Sequence, residues 1–310
     1  MASLENFRLV VFRAVAERLN FRRAAEALLL TQPAVSQQIK TLEEDLGFAL
    51  FDRSGRTIAL TPAGELLLRF AIESSALLSE AEQQMAALVG SHAGSLSLGA
   101  STTIAQYLLP RLVASYRREA PRVELTVISG NTETIVSALE QHHIDLGLIE
   151  GPSRSQSVAT KPFLDDELVL IAPAAHEWAE RPSIRLDEIF SMPLLLREVG
   201  SGSRQVLEMA LERAGLRRAA LRVVMELDST EAIKSAVAAG LGFGFVSRWA
   251  LEQDLRLDTT FRILPVERLR VGRQFLVASL RAAGAQGAAA DFRRFLFAQN
   301  GLTRALRRHR

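Results

Sequence analysis

The sequence contains no cysteine, which excludes disulfides, thiolate metal sites and cysteine nucleophiles. It also has no apolar run that reaches the roughly 18 residues of a membrane span. The first residues carry Glu5, Asn6 and Arg8 where a secretory signal would place its apolar stretch. These absences predict a cytoplasmic protein that has no membrane partner.

The sequence also has little net charge. The 310 residues have a formal net charge of only +2, so a nucleic-acid-binding surface would have to be local. A hydrophobic content of 48% is ample for well-filled cores, and the length suits two or three domains.

The first sixty residues predict three helices. Apolar residues recur at helical spacing from Leu4 to Leu19, and Asn20 and Thr31 can cap a second and a third helix. The third helix places its apolar residues three or four positions apart, at Val35, Ile39, Leu42 and Leu46. Its opposite face carries only groups that can hydrogen-bond a base edge or a phosphate, and these are Gln32, Pro33, Ser36, Gln37 and Lys40.

This arrangement is typical of a helix-turn-helix. After it, two short extended segments flank a turn at Ser54 and Gly55, which predicts a wing with Arg53 and Arg56 near its tip. Guanidinium groups there suit phosphates or a narrow minor groove. The alternative is a small helical bundle with a solvated polar face.

The order of these residues resembles the LysR family of bacterial transcriptional regulators. The matching segments are Arg22 to Leu28, Thr31 to Ile39, Leu42 to Gly47, Leu50 to Arg53 and Leu60 to Gly64. The resemblance implies a DNA-binding surface made of Thr31, Gln32, Pro33, Ser36, Gln37 and Lys40 in the major groove and Arg53 and Arg56 on the backbone. Arg22 departs from the family pattern, which has a small hydroxyl residue there, and could add a phosphate contact.

A long helix follows, from Thr61 as its cap to about Gly90. It carries an apolar stripe that a lone helix cannot bury, at Leu67, Phe70, Ser74, Leu77, Ala81, Met85 and Leu88. The stripe could pack on its own chain. The resemblance instead implies antiparallel pairing between two subunits.

From Ser95 onward, strands alternate with helices in two successive runs, which predicts two α/β lobes of parallel sheet with a cleft between them, as in periplasmic solute-binding proteins. We therefore expect a winged helix-turn-helix domain over 1–61, a linker helix over 62–90 and an effector domain over 91–310. Lobe 1 would comprise about 95–163 and 268–300, and lobe 2 about 164–267.

Small polar residues stand at four strand-to-helix junctions, where parallel α/β sheets bind ligands. Each could instead be a helix cap. Several helix N-termini facing one cleft favour an anion. Arg197 could contact that anion or pair with the neighbourhood of Glu198. The candidate effector residues are Ser101, Thr102, Thr103, Asn131, Thr132, Glu150, Arg197, Ser201, Gly202, Ser203 and Thr230. The LysR resemblance places the effector pocket at these junctions and implies Ser101, Thr102, Thr132, Ser201 and Thr230 as its usual kind of residue.

The segments that resemble enzyme motifs are each incomplete. His176 and Glu177 match the first two residues of the His-Glu-x-x-His motif of zinc proteases, but Glu180 stands where the second histidine is needed. His142 and His143 are adjacent and diverge on a helix. We expect no enzyme, no catalytic residues, no metal and no cofactor.

We therefore predict a sequence-specific DNA-binding regulator, activator or repressor, that responds to a small anionic metabolite. The resemblance implies a homotetramer, a dimer of dimers, on double-stranded DNA, with RNA polymerase as a candidate partner. Several segments, such as Gly130 to Glu133 and Glu226 to Lys234, look most like the branch that includes sulfur-assimilation and carbon-fixation regulators. The main alternative is a solute-binding protein with no specific DNA function.

Overall fold

The computed structural model describes residues 4–53, 57–88, 94–216, 221–252, 254, 260–281, 285 and 287–298. The chain forms two compact units, Met1–Ser91 and His92–Arg310. The turn predicted at Ser54 and Gly55, together with Arg56, lies outside the described residues.

The first unit begins with three helices, α1 (Phe7–Arg18), α2 (Phe21–Leu28) and α3 (Gln32–Leu46). The sequence expectation that α1 begins at Leu4 is wrong, because Asn6 caps the helix and its side chain accepts a hydrogen bond from the Arg8 N–H at 2.9 Å.

Strands β1 (Phe51–Asp52) and β2 (Ala59–Leu60) form a short antiparallel pair after α3. The long helix α4 (Pro62–Leu88) follows, with the Thr61 hydroxyl accepting from the Gly64 N–H at 3.0 Å. One apolar core joins the three helices, β1 and the start of α4, where Ala71 is buried. Within it, the Phe51 ring packs against Phe12 and Phe21 at centroid distances of 5.6 Å.

The first half of the second unit is an α/β lobe. Its elements are β3 (Ser95–Ser101), a π-helical turn (Ile104–Leu108), α5 (Leu109–Glu119), β4 (Glu124–Gly130), α6 (Thr132–Glu140) and β5 (Leu146–Ile149). Strand β3 pairs in parallel with β4 and with β5. The lobe core is closed by the last helix, α9 (Gly287–Ala298), whose Phe292 and Phe295 pack on Tyr116.

The second lobe repeats the pattern. Its elements are β7 (Leu194–Arg197), α7 (Gly202–Arg213), β8 (Val223–Leu227), α8 (Thr230–Ala238), β9 (Phe243–Ser247) and β10 (Phe261–Ile263). Short 3-10 helices lie at Glu177–Glu180, Leu186–Ser191 and Arg248–Leu251. Strand β7 pairs in parallel with β8 and with β9. Ser201 is the N-cap of α7.

Two long strands, β6 (Val158–Pro173) and β11 (Val271–Leu280), run through both lobes. They pair with each other antiparallel, β11 pairs antiparallel with β5, and β6 pairs antiparallel with β9 and β10. The strands within each lobe pair in parallel, as the sequence predicts, and the antiparallel pairs described in this unit all involve β6 or β11. The described strands of this unit form one sheet in which each lobe is parallel inside and the two are joined through an antiparallel centre.

Candidate DNA-binding surface and effector site

Helix α3 presents the polar face that the sequence singles out. The Thr31 hydroxyl caps the helix by accepting from the Ala34 N–H at 3.4 Å. Val35 and Ile39 are fully buried in the core of the first unit. The opposite face is exposed at Gln32, Pro33, Gln37 and Lys40 and half-buried at Ser36. This face can enter a major groove without exposing the core.

Glu43 connects α3 to the wing. Its Oε1 accepts the backbone N–H groups of Leu50 at 2.8 Å and Phe51 at 3.2 Å, and its Oε2 accepts from Arg53 Nη2 at 3.2 Å. The Arg53 guanidinium also lies 5.0 Å from the centre of the Phe21 ring. Glu43 therefore orients the Arg53 side chain, which is still 49% exposed.

The other candidate phosphate contacts carry weak surface pairs. Arg22 Nε lies 3.1 Å from Glu26, and Lys40 Nζ lies 3.6 Å from Glu44, each one helical turn away. All four side chains are more than half exposed. Such pairs contribute little to stability, so either cation can turn to a phosphate at small cost.

In the second unit, the predicted effector residues of the two lobes touch one another. Thr103 at the end of β3 and Thr230 at the start of α8 share a hydrogen bond between their hydroxyl oxygens at 3.2 Å. The Thr103 N–H also donates to Glu150 Oε1 at 2.8 Å. All three residues are buried. Side chains separated by up to 127 positions in the sequence therefore meet at one place between the lobes.

Glu150 belongs to a buried charged network that sequence reasoning did not find. Its Oε2 accepts from Ser203 Oγ at 2.7 Å and from Arg273 Nη1 at 2.9 Å. Arg273 Nε donates to Asp166 at 2.6 Å, and Ser247 Oγ donates to the same carboxylate at 2.9 Å. The network ties β5, β6, β9, β11 and α7 together. Nothing in the local pattern around Arg273 or Asp166 signals it, because both lie in ordinary strand sequence.

The two carboxyl groups of this network titrate differently. Burial raises the pKa of Glu150, but Arg273, Ser203, Arg197 and the Thr103 N–H together lower it by more, so the net pKa lies below the usual range. Burial dominates at Asp166, whose pKa is raised despite its contact with Arg273.

Arg197 makes one of the two contacts that the sequence left open, the pairing with Glu198, while its contact with an anion stays a prediction. Its Nε and Nη2 pair with the Glu198 carboxylate at 2.8 and 3.0 Å, while Nη1 lies 3.5 Å from the Thr230 hydroxyl. Nη2 also donates to the Asp228 carbonyl at 3.1 Å. The residue is buried rather than on the surface. It therefore holds the N-terminal end of α8 beside the cleft.

The lobes approach most closely at two glycines. A Cβ on Gly202 would lie 2.4 Å from Thr132 Oγ1 and 2.7 Å from the Gly151 nitrogen. A Cβ on Gly151 would lie 2.7 Å from the Gly202 Cα. Only glycine allows two backbones to approach so closely.

The remaining predicted residues lie at the same junctions in different roles. Ser101 Oγ donates to the Leu148 carbonyl at 3.2 Å. Asn131 caps α6 by accepting from the Thr134 N–H at 2.9 Å, and its Nδ2 lies 3.5 Å from the Val199 carbonyl of the other lobe. Ser201 is the N-cap of α7 without a side-chain capping bond. The Thr102 hydroxyl is buried without a hydrogen-bond partner.

A cavity of about 590 Å³ opens beside this contact, between the start of α6 and the start of α7. Its lining includes Thr132, whose buried hydroxyl has no hydrogen-bond partner, and Gly200. On another wall, Glu140 accepts from the Ser155 and Ser157 hydroxyls at 2.6 and 2.8 Å, which lowers its pKa.

Arg204 also lines this cavity, and sequence reasoning missed it. Its Nε pairs with Glu208 and its Nη1 with Glu226, each at 2.9 Å, and Nη1 donates to the Arg197 carbonyl at 2.8 Å. Its Nη2 is buried and has no hydrogen-bond partner. The signal that could have found it is its position directly after Ser201, Gly202 and Ser203, in the first turn of α7.

The described residues contain neither a cluster of metal-binding side chains nor a helix suited to a membrane. In this part of the chain, no three His, Cys, Asp or Glu side chains group closely enough to hold a metal ion. No helix there combines the length and apolar character of a membrane span.

Taken together, a helix-turn-helix unit and a two-lobed α/β unit with a polar cleft define a ligand-responsive DNA-binding regulator. The comparisons with known proteins agree. A family model for the bacterial regulatory helix-turn-helix protein of the lysR family matches residues 7–65, and one for the LysR substrate binding domain matches residues 90–300. The chain belongs to the LysR family and is a transcriptional regulator with a helix-turn-helix and an effector-binding domain.

Similar proteins include regulators of carbon-fixation genes. A probable RuBisCO transcriptional regulator of Cyanophora paradoxa is 38% identical over 82% of this chain and 79% of that protein. The RuBisCO operon transcriptional regulator of Allochromatium vinosum is 35% identical over 93% of this chain and 94% of that protein. The resemblance to the branch containing carbon-fixation regulators is thereby confirmed.

Two solved structures share the fold. A full-length variant of OxyR from Pseudomonas aeruginosa has a TM-score of 0.69 at 26% identity and covers 94% of this chain and 92% of that one. The CcmR regulatory domain of Synechocystis PCC6803, in complex with 2-PG, has a TM-score of 0.59 at 28% identity and covers 67% of this chain and 98% of that one.

Proposed function

We propose that a small anionic metabolite binds beside the contact between the two lobes and changes how the protein binds DNA. The observation that carries this proposal is the pair of buried, unpartnered groups beside the 590 Å³ cavity, Thr132 Oγ1 and Arg204 Nη2. A buried polar group without a partner is costly, so a ligand that accepts from both would be stabilised.

The electrostatics favour an anion. Helices α6, α7 and α8 begin at Thr132, Gly202 and Thr230, next to the contacts between the lobes. Their N-termini carry partial positive charge, which favours a bound anion. Because Arg197 and Arg204 are already paired with carboxylates, the ligand would add contacts to these guanidiniums rather than neutralise free charges. The relative solved with 2-PG makes that compound a reasonable first candidate.

The test is a titration of 2-PG, and then of other small anions, into the full-length protein by calorimetry. Thr132→Val keeps the shape but removes the hydroxyl, and we expect it to weaken binding by roughly tenfold, as for a lost hydrogen bond to a charged group. Thr160→Val makes the same change on an exposed stretch of β6 and serves as control. Equal affinity in all three proteins would refute the role of Thr132.

On DNA, the exposed face of α3 reads bases and the neighbouring cations bind phosphates. Gln37 can contact base edges, so Gln37→Ala should relax base preference. Arg53, which Glu43 holds, can contact a phosphate. Arg53→Ala should therefore weaken binding to all sequences and lower the slope of log affinity against log salt by about 1.

A gel shift on the DNA upstream of the protein's own gene, at two salt concentrations and against random competitor, separates these effects. The expected outcome is selective retention of that fragment. If Gln37→Ala and Arg53→Ala both cause equal losses on specific and random DNA, the assigned roles are wrong.

The active protein is a homo-oligomer, a dimer of dimers, that meets its DNA in the cytoplasm and can contact RNA polymerase. Support comes from large apolar side chains left exposed in the single chain. On α4 these are Leu66, Phe70, Leu77 and Met85. At the two ends of the sheet they are Val127 and Ile128 on β4 and Val224 and Met225 on β8. Surfaces of this kind mark protein interfaces, and sedimentation velocity measures the assembly directly.

A further inference from the structure

A second cavity, of about 560 Å³, lies on the other side of α7, against the first half of β11. One part of its lining is cationic, with Arg213, Arg268, Arg270 and Arg273. Another part is apolar, with residues such as Val206 and Met209 of α7. A volume of this size suits a small organic ligand.

The positive charge of this cavity is only partly neutralised by neighbouring carboxylates, since Arg273 is paired but others are not. Arg270 Nε lies 3.3 Å from Glu167, but its side chain is 84% exposed. Within the described part of the chain, Arg213 and Arg268 form no ion pair. Glu150 is the acidic residue in the lining, and its carboxylate is already used by Arg273, Ser203 and the Thr103 N–H. The cavity therefore carries excess positive charge.

Arg273 independently supports ligand binding in this cavity. Its side chain is 1% exposed, and its Nε and Nη1 donate to Asp166, Glu150 and Ser203. Its Nη2, in contrast, is buried with no hydrogen-bond partner. A buried guanidinium N–H without an acceptor is costly, and an anion in the cavity that Arg273 lines would supply one.

The strand edge beside the cavity is also open. Strand β5 pairs with β11 only at Leu276, Val277 and Ala278, so among the described strands none covers that side of β11 between Val271 and Phe275. A Cβ built on Gly272 would meet no atom within 4 Å. Backbone groups of this edge are thus available to a ligand together with the arginine side chains.

We propose that this cavity is a second effector site, separate from the contact between the lobes, and that it binds a small organic dianion with an apolar part. The charge would lie among Arg213, Arg268 and the Nη2 of Arg273, and the apolar part against α7. Phosphate monoesters and dicarboxylates share this chemistry. Guanidinium groups bind both through paired N–H donors.

The experiment measures binding of phenyl phosphate and of phthalate to the full-length protein by isothermal titration calorimetry. Inorganic phosphate tests the apolar wall and should bind more weakly than phenyl phosphate. The test variant is Arg213→Gln with Arg268→Asn, because Arg268 has a φ of +61°, which asparagine tolerates. Both side chains are exposed, so neither change should disturb folding, which circular dichroism checks.

We expect the double variant to bind the better of the two dianions at least about tenfold more weakly, as for the loss of charge-assisted hydrogen bonds. The matched control, Arg117→Gln with Arg122→Asn, removes two exposed arginines from the first lobe and should bind as the parent does. Whichever probe binds more tightly identifies the phosphate or the carboxylate source.

Thr132→Val separates this site from the one between the lobes. This variant should leave the binding of phenyl phosphate and phthalate at the second site unchanged. Loss of binding in Thr132→Val with no change in the arginine double variant would overturn the second site while leaving the first intact. No measurable binding of either dianion to the folded parent, or equal binding to the double variant and its control, would also overturn it.

Discussion

Replacing Arg273 by methionine should destabilise the effector-binding domain strongly. The side chain lies between two buried carboxylates, at 2.6 Å from Asp166 and 2.9 Å from Glu150. Methionine keeps an unbranched chain but removes the cation. Both carboxylates then remain in the interior without their countercharge, and this is the costly outcome for a buried ion pair.

Breaking a buried pair by removing one partner costs about 3–5 kcal/mol. Domains are stable by only about 5–15 kcal/mol, so the loss is a large fraction of the total. For a domain of about this size, 1 kcal/mol lowers the Tm by about 2–4 °C, which gives a decrease of about 6–20 °C.

The loss should depend on pH. Without Arg273, burial raises the folded-state pKa of Asp166 further, and Glu150 loses the largest of the contacts that lower its pKa. A raised carboxyl pKa destabilises the folded state at neutral pH, and protonation relieves this as the pH falls. The deficit relative to the parent should therefore be largest near neutrality and shrink in acid.

Urea unfolding at several pH values is the assay. Both tryptophans of the sequence, Trp178 and Trp249, lie in the second unit, so intrinsic fluorescence reports on that unit alone. The control is Arg270→Met, whose 84% exposed side chain should matter by less than about 0.5 kcal/mol. Neutralising the partners as well, with Glu150→Gln and Asp166→Asn, should restore part of the stability. The reasoning is refuted if Arg273→Met is as stable as Arg270→Met. It is also refuted if the loss in free energy of unfolding caused by Arg273→Met is the same at every pH.

Two further perturbations test other parts of the second unit. Gly202→Ala should push the lobes apart, because its Cβ would lie 2.4 Å from Thr132 Oγ1. We expect urea unfolding to show a loss of about 1–3 kcal/mol in the free energy of unfolding. The control Gly272→Ala adds a Cβ in open space and should leave the stability nearly unchanged. Glu140→Gln should cause a small loss of stability at pH 7, because hydrogen bonds from serines such as Ser155 lower the Glu140 pKa. That difference should persist above pH 4.5 and disappear as the pH falls through the lowered pKa; a difference that grows in acid would contradict the assignment.

The local sequence patterns predicted much of the fold. Asn20 and Thr31 cap α2 and α3 as expected, and the apolar spacing of Val35 and Ile39 identified the buried face of α3. Caps and helical periodicity depend on residues a few positions apart, which a sequence displays directly. The antiparallel pairing of β6 with β11 was not predicted, because it joins residues about a hundred positions apart and no local pattern records it.

For the candidate site, the sequence located the junctions but not their contacts. It singled out Thr103, Thr132, Glu150, Ser203 and Thr230, and the structure brings them together between the lobes. It could not say that Thr103 meets Thr230, or that Thr132 keeps a buried hydroxyl without a partner. Whether these residues hold the effector stays a prediction.

The sequence by itself determined the family, the helix-turn-helix and the two α/β lobes, because these follow from short-range periodicity, capping and a contiguous motif. Only the tertiary structure decided which charges are buried together. Arg273, Asp166 and Arg204 are ordinary residues in their own segments, and their pairing follows from how distant strands and helices pack. The energy of a charge depends on its surroundings in space, so its role appears only when those surroundings are assembled.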